Sequence, residues 1–339
     1  MSKLIFAGDI GGTKTYLALF YDKGYHLELA REGAFSNSDF KGPDEIIGQF
    51  IKGVDTSDIE ASGFGIACPV MGNRCKMTNL DWIVDGEEIR RKFNIRKLEL
   101  INDLVAIAWG VDLLSKNDLM VLQEGTPKNG NAALIAAGTG LGEAILFWDG
   151  VSHIPSGSEG GHTDFAPRNQ LEMGLLEYLM KIYSHVSYER ILSGPGLENI
   201  YNYVKTIRKR AEPQYLKKRF EAEGIAPVVS EEAISGKDET CREALELFIS
   251  IYGAEAGNLA LKSMAVNGIY IGGGIIPRIL KAMESGTFIK SFRDKGRFDN
   301  LMSQMPVNVI LNDKTGLLGA AAYAAMLYKG THIKHIEFP

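Results

Sequence analysis

Three glycine-rich turns, each at the end of a short apolar run, most strongly constrain the fold of this chain of 339 residues. They are Gly11-Gly12-Thr13, Gly138-Thr139-Gly140 and Gly272-Gly273-Gly274. Without a Cβ atom, the backbone amides of such a turn can approach phosphate oxygens closely. One such turn indicates little, because tight hairpins use the same residues. Three in chain order, each after a predicted strand, indicate a phosphate-binding α/β protein.

Two common nucleotide-binding folds do not fit these turns. None has the Gly-x-x-x-x-Gly-Lys-Ser/Thr pattern of the P-loop. The first two lead into strands rather than helices, which argues against a dinucleotide-binding fold. Residues 3–20 and 131–148 each predict a strand, a turn rich in Gly and Thr, and a second strand. This similarity indicates an internal duplication with two half-sites that face each other.

Composition restricts the class of protein further. The length favours two domains or one large domain. The chain has 37 basic and 42 acidic side chains, for a net charge of −5, which argues against a dedicated nucleic-acid-binding protein. No apolar run approaches the length of a membrane span. The three cysteines form no Cys-x-x-Cys pair, so we predict reduced thiols of a cytoplasmic protein and neither a disulfide framework nor a structural zinc site.

The first turn also carries groups that bind Mg·ATP. The glycines admit a phosphate, and the Thr13 hydroxyl group and Lys14 can bind it. Asp9 can hold a hydrated Mg²⁺ ion. The alternative is that Gly11 and Gly12 form only a tight hairpin.

Asn102 and Asp103 lie where a predicted strand ends and a predicted helix begins. The start of a helix favours the charged form of a carboxyl group. Such a carboxylate can accept the proton of a hydroxyl group that attacks phosphorus. The alternative is that Asp103 is only the N-cap of the helix.

These residues lie in segments that resemble a known superfamily, the ATPases that include actin, hexokinase and the heat-shock chaperones. Within it, the chain resembles the bacterial ATP-dependent glucokinases of the non-ROK type. Besides the three glycine turns, the matching segments are Ile66–Pro69, Met77–Asn79, Leu100–Asp103, Ser158–His162, Thr163–Pro167, Arg190–Gly196, Asp294–Phe298 and Gly316–Gly319.

The resemblance implies an α/β chain with the two-domain actin-like ATPase (ribonuclease H-like) fold and ligands in the cleft between the domains. A small α/β domain would take residues 1–112 and 315–339, and a large α+β domain residues 113–314. The implied reaction transfers the γ-phosphoryl group of ATP to the 6-hydroxyl group of D-glucose, with Mg²⁺ as cofactor. A cytoplasmic homodimer that binds neither nucleic acid nor a membrane is expected.

The resemblance also implies the residues of the site. Asp103 would be the catalytic base. Sugar-binding residues would be Asn102, Glu159, His162 and Glu189. Nucleotide-binding residues would be Asp9, Gly11, Gly12, Thr13, Lys14, Gly138, Thr139, Gly140, Gly272, Gly273 and Gly274, with Asp9 holding Mg²⁺ through water.

One segment departs from the non-ROK pattern. Lys14-Thr15 resembles the ROK sugar kinases at this turn. That family, however, carries a cysteine-rich zinc motif after its Glu-x-Gly-His sequence, whereas His162 is followed by no cysteine until Cys241. We therefore favour the non-ROK group.

Three other functions remain to be weighed against glucose phosphorylation. The first is a kinase for another hexose or an N-acetylhexosamine. The second is a nucleotide switch without enzymatic activity, of the actin or chaperone kind. The Asn102-Asp103 pair argues against the switch, because a switch needs no hydroxyl substrate. The third, an ATPase that gates electron transfer, would need bridging cysteines that the sequence does not supply.

Overall fold

A computed structural model describes residues 3–77, 80–333 and 335–337. Thr78 and Asn79 of the segment Met77–Asn79 therefore lie outside the described residues. The strands are β1 (Leu4–Ile10), β2 (Lys14–Asp22), β3 (His26–Ser36), β4 (Ile59–Ile66), β5 (Arg74–Lys76), β6 (Ile83–Asp85), β7 (Leu98–Asn102), β8 (Leu119–Gln123), β9 (Ala132–Ala137), β10 (Leu141–Trp148), β11 (His153–Ser158), β12 (Gly268–Gly272), β13 (Val307–Ile310) and β14 (His335–Glu337).

The helices of the described residues lie mostly in the second half of the chain. They are α1 (Pro43–Phe50), α2 (Gly86–Lys92), α3 (Asp103–Gly110), α4 (Gln170–Leu179), α5 (Gly194–Arg208), α6 (Gln214–Glu223), α7 (Ile225–Ser235), α8 (Glu239–Ser263), α9 (Ile276–Met283), α10 (Thr287–Arg293), α11 (Asp299–Gln304) and α12 (Thr315–Lys329). No helix within the described ranges has both the length and the apolar character needed to cross a membrane.

The first sheet has the strand order β14-β3-β2-β1-β4-β7. β1 and β2 pair antiparallel, with Leu4 opposite Tyr21 and Ile10 opposite Thr15, which confirms the hairpin predicted for residues 3–20. β4 runs parallel to β1 and to β7. The carboxyl ends of these three parallel strands therefore meet at one edge of the sheet.

The second large sheet repeats this arrangement. Its order is β11-β10-β9-β12-β13-β8. β12 lies between β9 and β13 and is parallel to both. The order β11-β10-β9-β12-β13 thus matches β3-β2-β1-β4-β7, as expected for the predicted internal duplication.

The chain divides into two compact units. The first comprises Met1–Asp118, Leu146–Gly157 and Asn312–Pro339, and the second comprises Leu119–Ile145 and Ser158–Leu311. The boundaries expected from the sequence, at 112 and 315, differ from these by a few residues. They also place residues 146–157 in the large domain, whereas this segment belongs to the first unit.

The core of the first unit follows from alternation along β1. Phe6 packs in a cluster with Phe50 of α1 and Phe64 of β4 on one face of the sheet. Ile5 and Ala7 point to the other face, where the alanine-rich helix α12 packs. The sheet of this unit is therefore covered on both faces.

Helix α8 is the central element of the second unit. Residues 244–265 are apolar on most sides, a pattern that predicts a long buried helix. The helix begins at Glu239, five residues before this stretch, because Asp238 caps it by accepting a hydrogen bond from the backbone N–H of Cys241 at 2.8 Å. Its residues are buried along most of its surface, as predicted for this stretch. Strands and helices of this unit therefore pack against several sides of α8.

One prediction from the cysteine pattern is wrong. Cys68 and Cys75 form a disulfide, with their Cα atoms 6.3 Å apart, whereas Cys241 is free and buried. The chain reverses between the two cysteines, where Met71 pairs with Arg74. Spacing rules for Cys-x-x-Cys sites do not detect a bridge that a local turn creates.

Candidate active site

The turn between β1 and β2 is held by a residue from another part of the chain. Gly11 N–H donates a hydrogen bond to the Lys14 carbonyl oxygen at 2.9 Å. The Asn37 side chain donates to the Gly11 carbonyl oxygen at 2.9 Å, and its backbone N–H donates to that of Thr13 at 2.9 Å. The side chains of Thr13 and Lys14 are exposed. The fixed turn leaves these two polar groups available to an anion.

Asp9 lies on the face of β1 that α12 covers. It follows Ile5 and Ala7 in the alternation, and a Cβ atom at Gly316 of α12 would lie 2.8 Å from Asp9 Oδ2. Burial, and secondarily the charge of Asp103, raise the pKa of Asp9 to about 7. A buried carboxyl group whose ionisation a neighbouring carboxyl group opposes suits a divalent cation, and Mg²⁺ prefers oxygen ligands.

Asn102, rather than Asp103, caps helix α3. The Asn102 side-chain oxygen accepts a hydrogen bond from Leu104 N–H at 3.0 Å, and its amide group donates to the Cys68 carbonyl oxygen at 3.3 Å. The interpretation of Asp103 as the N-cap is therefore wrong. Asp103 is the first residue of the helix, and its Oδ1 accepts from the same Leu104 N–H at 2.9 Å.

The surroundings of Asp103 act on its charge in opposite directions. Burial raises its pKa above the ordinary value. Hydrogen bonds from the backbone N–H groups of Leu104 and Asp103, and from the Asn102 side chain, lower it less strongly. The carboxyl group is therefore a stronger base than an exposed aspartate, which is what proton acceptance from a hydroxyl group requires.

Close packing of glycines fixes helix α3 in place. A Cβ atom at Gly65 of β4 would lie 2.7 Å from the Cβ atom of Ala106. A Cβ atom at Gly319 of α12 would overlap the carbonyl oxygen of Ala106. Larger residues at either glycine would push α3 away, so Asp103 depends on both.

In the second unit, two glycine turns lie side by side. Gly138 N–H donates to the Gly140 carbonyl oxygen at 2.8 Å, and Gly194 N–H donates to the Gly138 carbonyl oxygen at 2.9 Å. Gly273 has a φ of +100°, and a Cβ atom there would overlap the carbonyl oxygen of Ala137. Only glycine fits that position without strain, so the turn after β12 lies against the end of β9.

A pocket of about 290 Å³ opens beside these two turns. Its walls include Thr139, Pro195, Pro227, Gly274, Ile275 and Arg278. A mostly apolar pocket bordered by two glycine turns and one arginine suits the flat base and the phosphates of a nucleotide. A larger open groove of about 810 Å³ in the same unit is lined by none of the predicted site residues.

The predicted sugar-binding residues of the second unit lie together. His162 Nε2 is 3.8 Å from Glu159 Oε2, and His162 Nδ1 is 4.0 Å from Glu189 Oε1. Glu189 Oε2 accepts a hydrogen bond from Leu141 N–H at 3.0 Å. A Cβ atom at Gly140 would lie 2.5 Å from that oxygen. Gly140 therefore makes room for Glu189 as well as shaping the phosphate turn.

The structure thus brings the predicted residues into one cluster in each unit. Asp9, Asn102 and Asp103 belong to the first, and Glu159, His162 and Glu189 to the second.

Other residues of these clusters carried no signal that sequence reasoning used. Asn37 contacts the first turn only through the fold. Pro195 and Arg278 line the nucleotide-sized pocket, and Pro195 belongs to the segment Arg190–Gly196. A proline near the start of each of the helices α5 and α9, Pro195 directly after Gly194 and Pro277 three residues after Gly274, is the signal that could have indicated the pocket residues.

Comparison with known proteins gives a consistent family. A family model described as Glucokinase matches residues 6–327. A glucokinase from Nostoc sp. (strain PCC 7120) is 40% identical over 340 residues, which cover 96% of this chain and 99% of that protein. The crystal structure of a glucokinase from an Antarctic psychrotroph has a TM-score of 0.84 at 29% identity and covers 96% of this chain and 99% of that one.

A more distant structure shares the fold. It is a ROK family glucokinase from Streptomyces griseus in complex with glucose and AMPPNP, with a TM-score of 0.62 at 21% identity, covering 95% of this chain and 99% of that one. With the repeated sheet topology, these matches confirm the predicted actin-like ATPase fold. The family match over nearly the whole chain also confirms the prediction of an ATP-dependent sugar kinase. The chain belongs to the glucokinase family.

Proposed function

We propose that this chain transfers the γ-phosphoryl group of ATP to the 6-hydroxyl group of D-glucose, giving glucose 6-phosphate and ADP at the entry to glycolysis. The observation that carries the proposal is the position of Asp103, which begins α3 directly after its cap Asn102. A carboxylate there, with a raised pKa, is suited to receive the hydroxyl proton. The choice of glucose as the substrate is supported by the name glucokinase, which the family model and the relatives share.

The sugar-binding groups have distinct roles in this proposal. Asn102 is fixed by its two hydrogen bonds and can orient a sugar hydroxyl group beside Asp103. Glu159 and Glu189 accept hydrogen bonds from hydroxyl groups, and His162 lies near both. Fixed donors and acceptors of this kind distinguish vicinal hydroxyl groups of a neutral sugar.

The nucleotide would bind through the glycine turns. The pocket beside Thr139 and Gly274 takes the adenosine, and the turns at Gly11–Thr13 and Gly138–Gly140 receive phosphates. Asp9 would hold Mg²⁺ through water. When bound, the ion neutralises charge on the phosphate oxygens. Lys14 is exposed and can pair with a phosphate.

The proposal also assigns the chain to the non-ROK group, as a cytoplasmic homodimer. The absence of any cysteine between His162 and Cys241 supports the group, because the ROK zinc motif would lie there. Metal analysis of the purified protein tests this assignment. One zinc ion per chain would contradict it.

The substrate is tested by a panel of sugars with coupled detection of ADP. Glucose, mannose, N-acetylglucosamine and a reaction without sugar are compared at equal ATP and Mg²⁺, with ADP and polyphosphate as alternative donors. The proposal predicts the highest kcat/KM for glucose with ATP. A higher value for another sugar would replace the substrate, and release of ADP that no sugar stimulates would favour the nucleotide switch.

A further inference from the structure

Two buried acids that have no role in the proposed reaction lie against each other in the second unit. Glu143 of β10 is 2% exposed and Glu255 of α8 is 0% exposed. One oxygen of each, Oε1, is buried without a hydrogen-bond partner. Lys262 Nζ is 3.5 Å from Glu255 Oε1, at the distance of a weak ion pair. The two side chains are within hydrogen-bonding reach of each other, and a single proton on the pair lets one acid donate to the other.

The charges around the pair agree with such a shared proton. Burial, and then the charge of Glu255, raise the pKa of Glu143 to about 7, while Lys262 lowers it. Tyr252 of α8 and Tyr188 also face the pair, and the pKa of each is raised by burial and by one of the two acids. Lys295 faces Glu255 as well; burial lowers the pKa of this lysine, and Glu255 raises it less strongly. Two positive charges, Lys262 and Lys295, face the pair, but burial has the largest effect on Glu143 and favours one negative charge on the pair.

Glu143 supports the loop that carries Glu159 and His162. A Cβ atom at Gly160 would overlap Glu143 Oε2, so the loop backbone lies directly on the carboxyl group. Ser158 Oγ donates a hydrogen bond to the Glu143 carbonyl oxygen at 3.2 Å and accepts one from Gly160 N–H at 3.2 Å. Side chain and backbone of Glu143 thus both hold the loop.

Glu255 is connected through Asn258 to the segment that carries Glu189. The Asn258 amide group donates to Glu255 Oε2 at 2.7 Å and to the Tyr188 hydroxyl oxygen at 3.1 Å. Lys295 Nζ donates to Asn258 Oδ1 at 2.6 Å. Because lysine can only donate, it fixes the orientation of the Asn258 amide toward the other two groups. Tyr188 directly precedes Glu189 in the chain.

We propose that Glu143 and Glu255, joined by one proton, are positioning residues that hold both sugar-binding segments of the second unit. Asn258 and Lys295 complete this buried support. It gives a role to Lys295 of the segment Asp294–Phe298, which the proposed reaction does not use. Because the ligand is taken to be glucose, the inference rests on the proposed function.

The test compares Glu143→Gln and Glu143→Leu with the wild type. The amide resembles a protonated acid in shape and still donates to Glu255, so we expect Glu143→Gln to keep the KM for glucose within about twofold at pH 6.5. Leucine removes the polar contacts of the Glu143 side chain, so the loop that carries Glu159 and His162 should be displaced. Loss of one hydrogen bond to the sugar in this way raises the KM for glucose by about tenfold. The KM for ATP should change by less than about twofold in both variants.

Hydrogen exchange gives a readout that needs no activity. In Glu143→Leu, amides of residues 158–162 and 187–190 should exchange faster, with little change in the turn at 138–140. Leu216→Ala is the matched control, because Leu216 is buried in α6 of the same unit and lies outside these contacts. It should lower thermal stability without raising the KM for glucose.

The shared proton is tested separately, on variants that fold. Above about pH 7 the wild type loses this proton and buries a second negative charge. Its KM for glucose should therefore rise relative to that of Glu143→Gln between pH 6.5 and 8.5. A constant ratio of the two KM values, or a Glu143→Gln variant as weak as Glu143→Leu, overturns the shared proton.

Two further results would overturn the support itself. One is unchanged exchange of residues 158–162 in a folded Glu143→Leu variant, and the other is an equal rise of KM in Leu216→Ala. A wild type that does not phosphorylate glucose contradicts the proposed function, while the exchange experiment still decides whether the acids hold the loop.

Discussion

Replacing Asp103 by Asn removes the proposed base while preserving the contacts that hold it. The Asn side-chain oxygen can still accept from Leu104 N–H, which Asp103 Oδ1 does at 2.9 Å. Burial opposes ionisation of Asp103, so a neutral side chain does not destabilise the folded state on this account. Asn102 remains the cap of α3. We therefore expect a folded variant with an unchanged or higher melting temperature.

Its turnover should fall strongly. General-base catalysis contributes about 10² to 10⁴ in rate, or about 3 to 5.5 kcal/mol of transition-state free energy. Glucose affinity should change much less, because Asn can still hydrogen-bond to the hydroxyl group. The assay measures kcat by coupled ADP detection at saturating glucose and ATP, with glucose binding measured by calorimetry.

Asp85→Asn is the matched control for this prediction. Asp85 caps α2 and accepts from Glu88 N–H at 3.0 Å, so the same chemical change occurs at the start of another helix. Its kcat should remain within about twofold of the wild type, because surface caps are exchangeable between Asp and Asn. A folded Asp103→Asn variant that keeps more than about a tenth of the wild-type kcat would refute the role of Asp103.

Three further predictions concern the turns, the metal site and the disulfide. Gly138→Val should raise the KM for ATP by about tenfold and change the KM for glucose little. A Cβ atom at Gly138 would meet only Gly274 N, at 3.9 Å, so the side chain fits the fold but stands beside the phosphate turns. A KM for ATP equal to that of the wild type would contradict the assignment of this turn to phosphate. The pKa of Asp9 is raised from 3.8 to about 7 in the folded chain. In the presence of a chelator, the wild type should therefore lose stability as the pH rises from about 4 to 7, whereas Asp9→Asn should not lose this contribution. The same change in melting temperature between pH 5 and pH 8 in both proteins would argue against this. Thiol titration of the unfolded chain should find one thiol, Cys241, without reductant and three with it, and three in both cases would exclude the disulfide.

Strands and turns could be predicted from the sequence because apolar runs and glycines act on residues close to them in the chain. The hairpin of β1 and β2 follows from two apolar runs around Gly11-Gly12, and the register confirms it. The long buried helix follows from apolar residues on most of its sides, although its start depends on Asp238, which the apolar pattern does not include. Helix starts depend on capping groups that lie outside the periodic stretch.

The assignment of the cap shows where local reasoning is insufficient. Asn102 and Asp103 are both good N-cap residues, so sequence alone does not decide between them. The pairing of β7 with β4 decides, because it extends the strand to Asn102 opposite Ile66. The helix then begins at Asp103, which leaves Asn102 as the cap.

Contacts between residues far apart in the chain were not predictable from motifs. Asn37 reaches the Gly11 turn only because β3 pairs with β2. Glu143 and Glu255 come from a strand and a helix that only packing brings together, and neither local sequence indicates that the two acids meet. The disulfide of Cys68 and Cys75 depends likewise on a turn that spacing rules do not describe.

The central claim is tested most directly by identifying the product of one reaction. The purified chain is incubated with glucose labelled with ¹³C, ATP and Mg²⁺, and the products are followed by ¹³C and ³¹P NMR. The account predicts glucose 6-phosphate and ADP in equal amounts, with phosphate on the 6-oxygen alone. Inorganic phosphate without a sugar phosphate, or phosphate on another hydroxyl group, would contradict it.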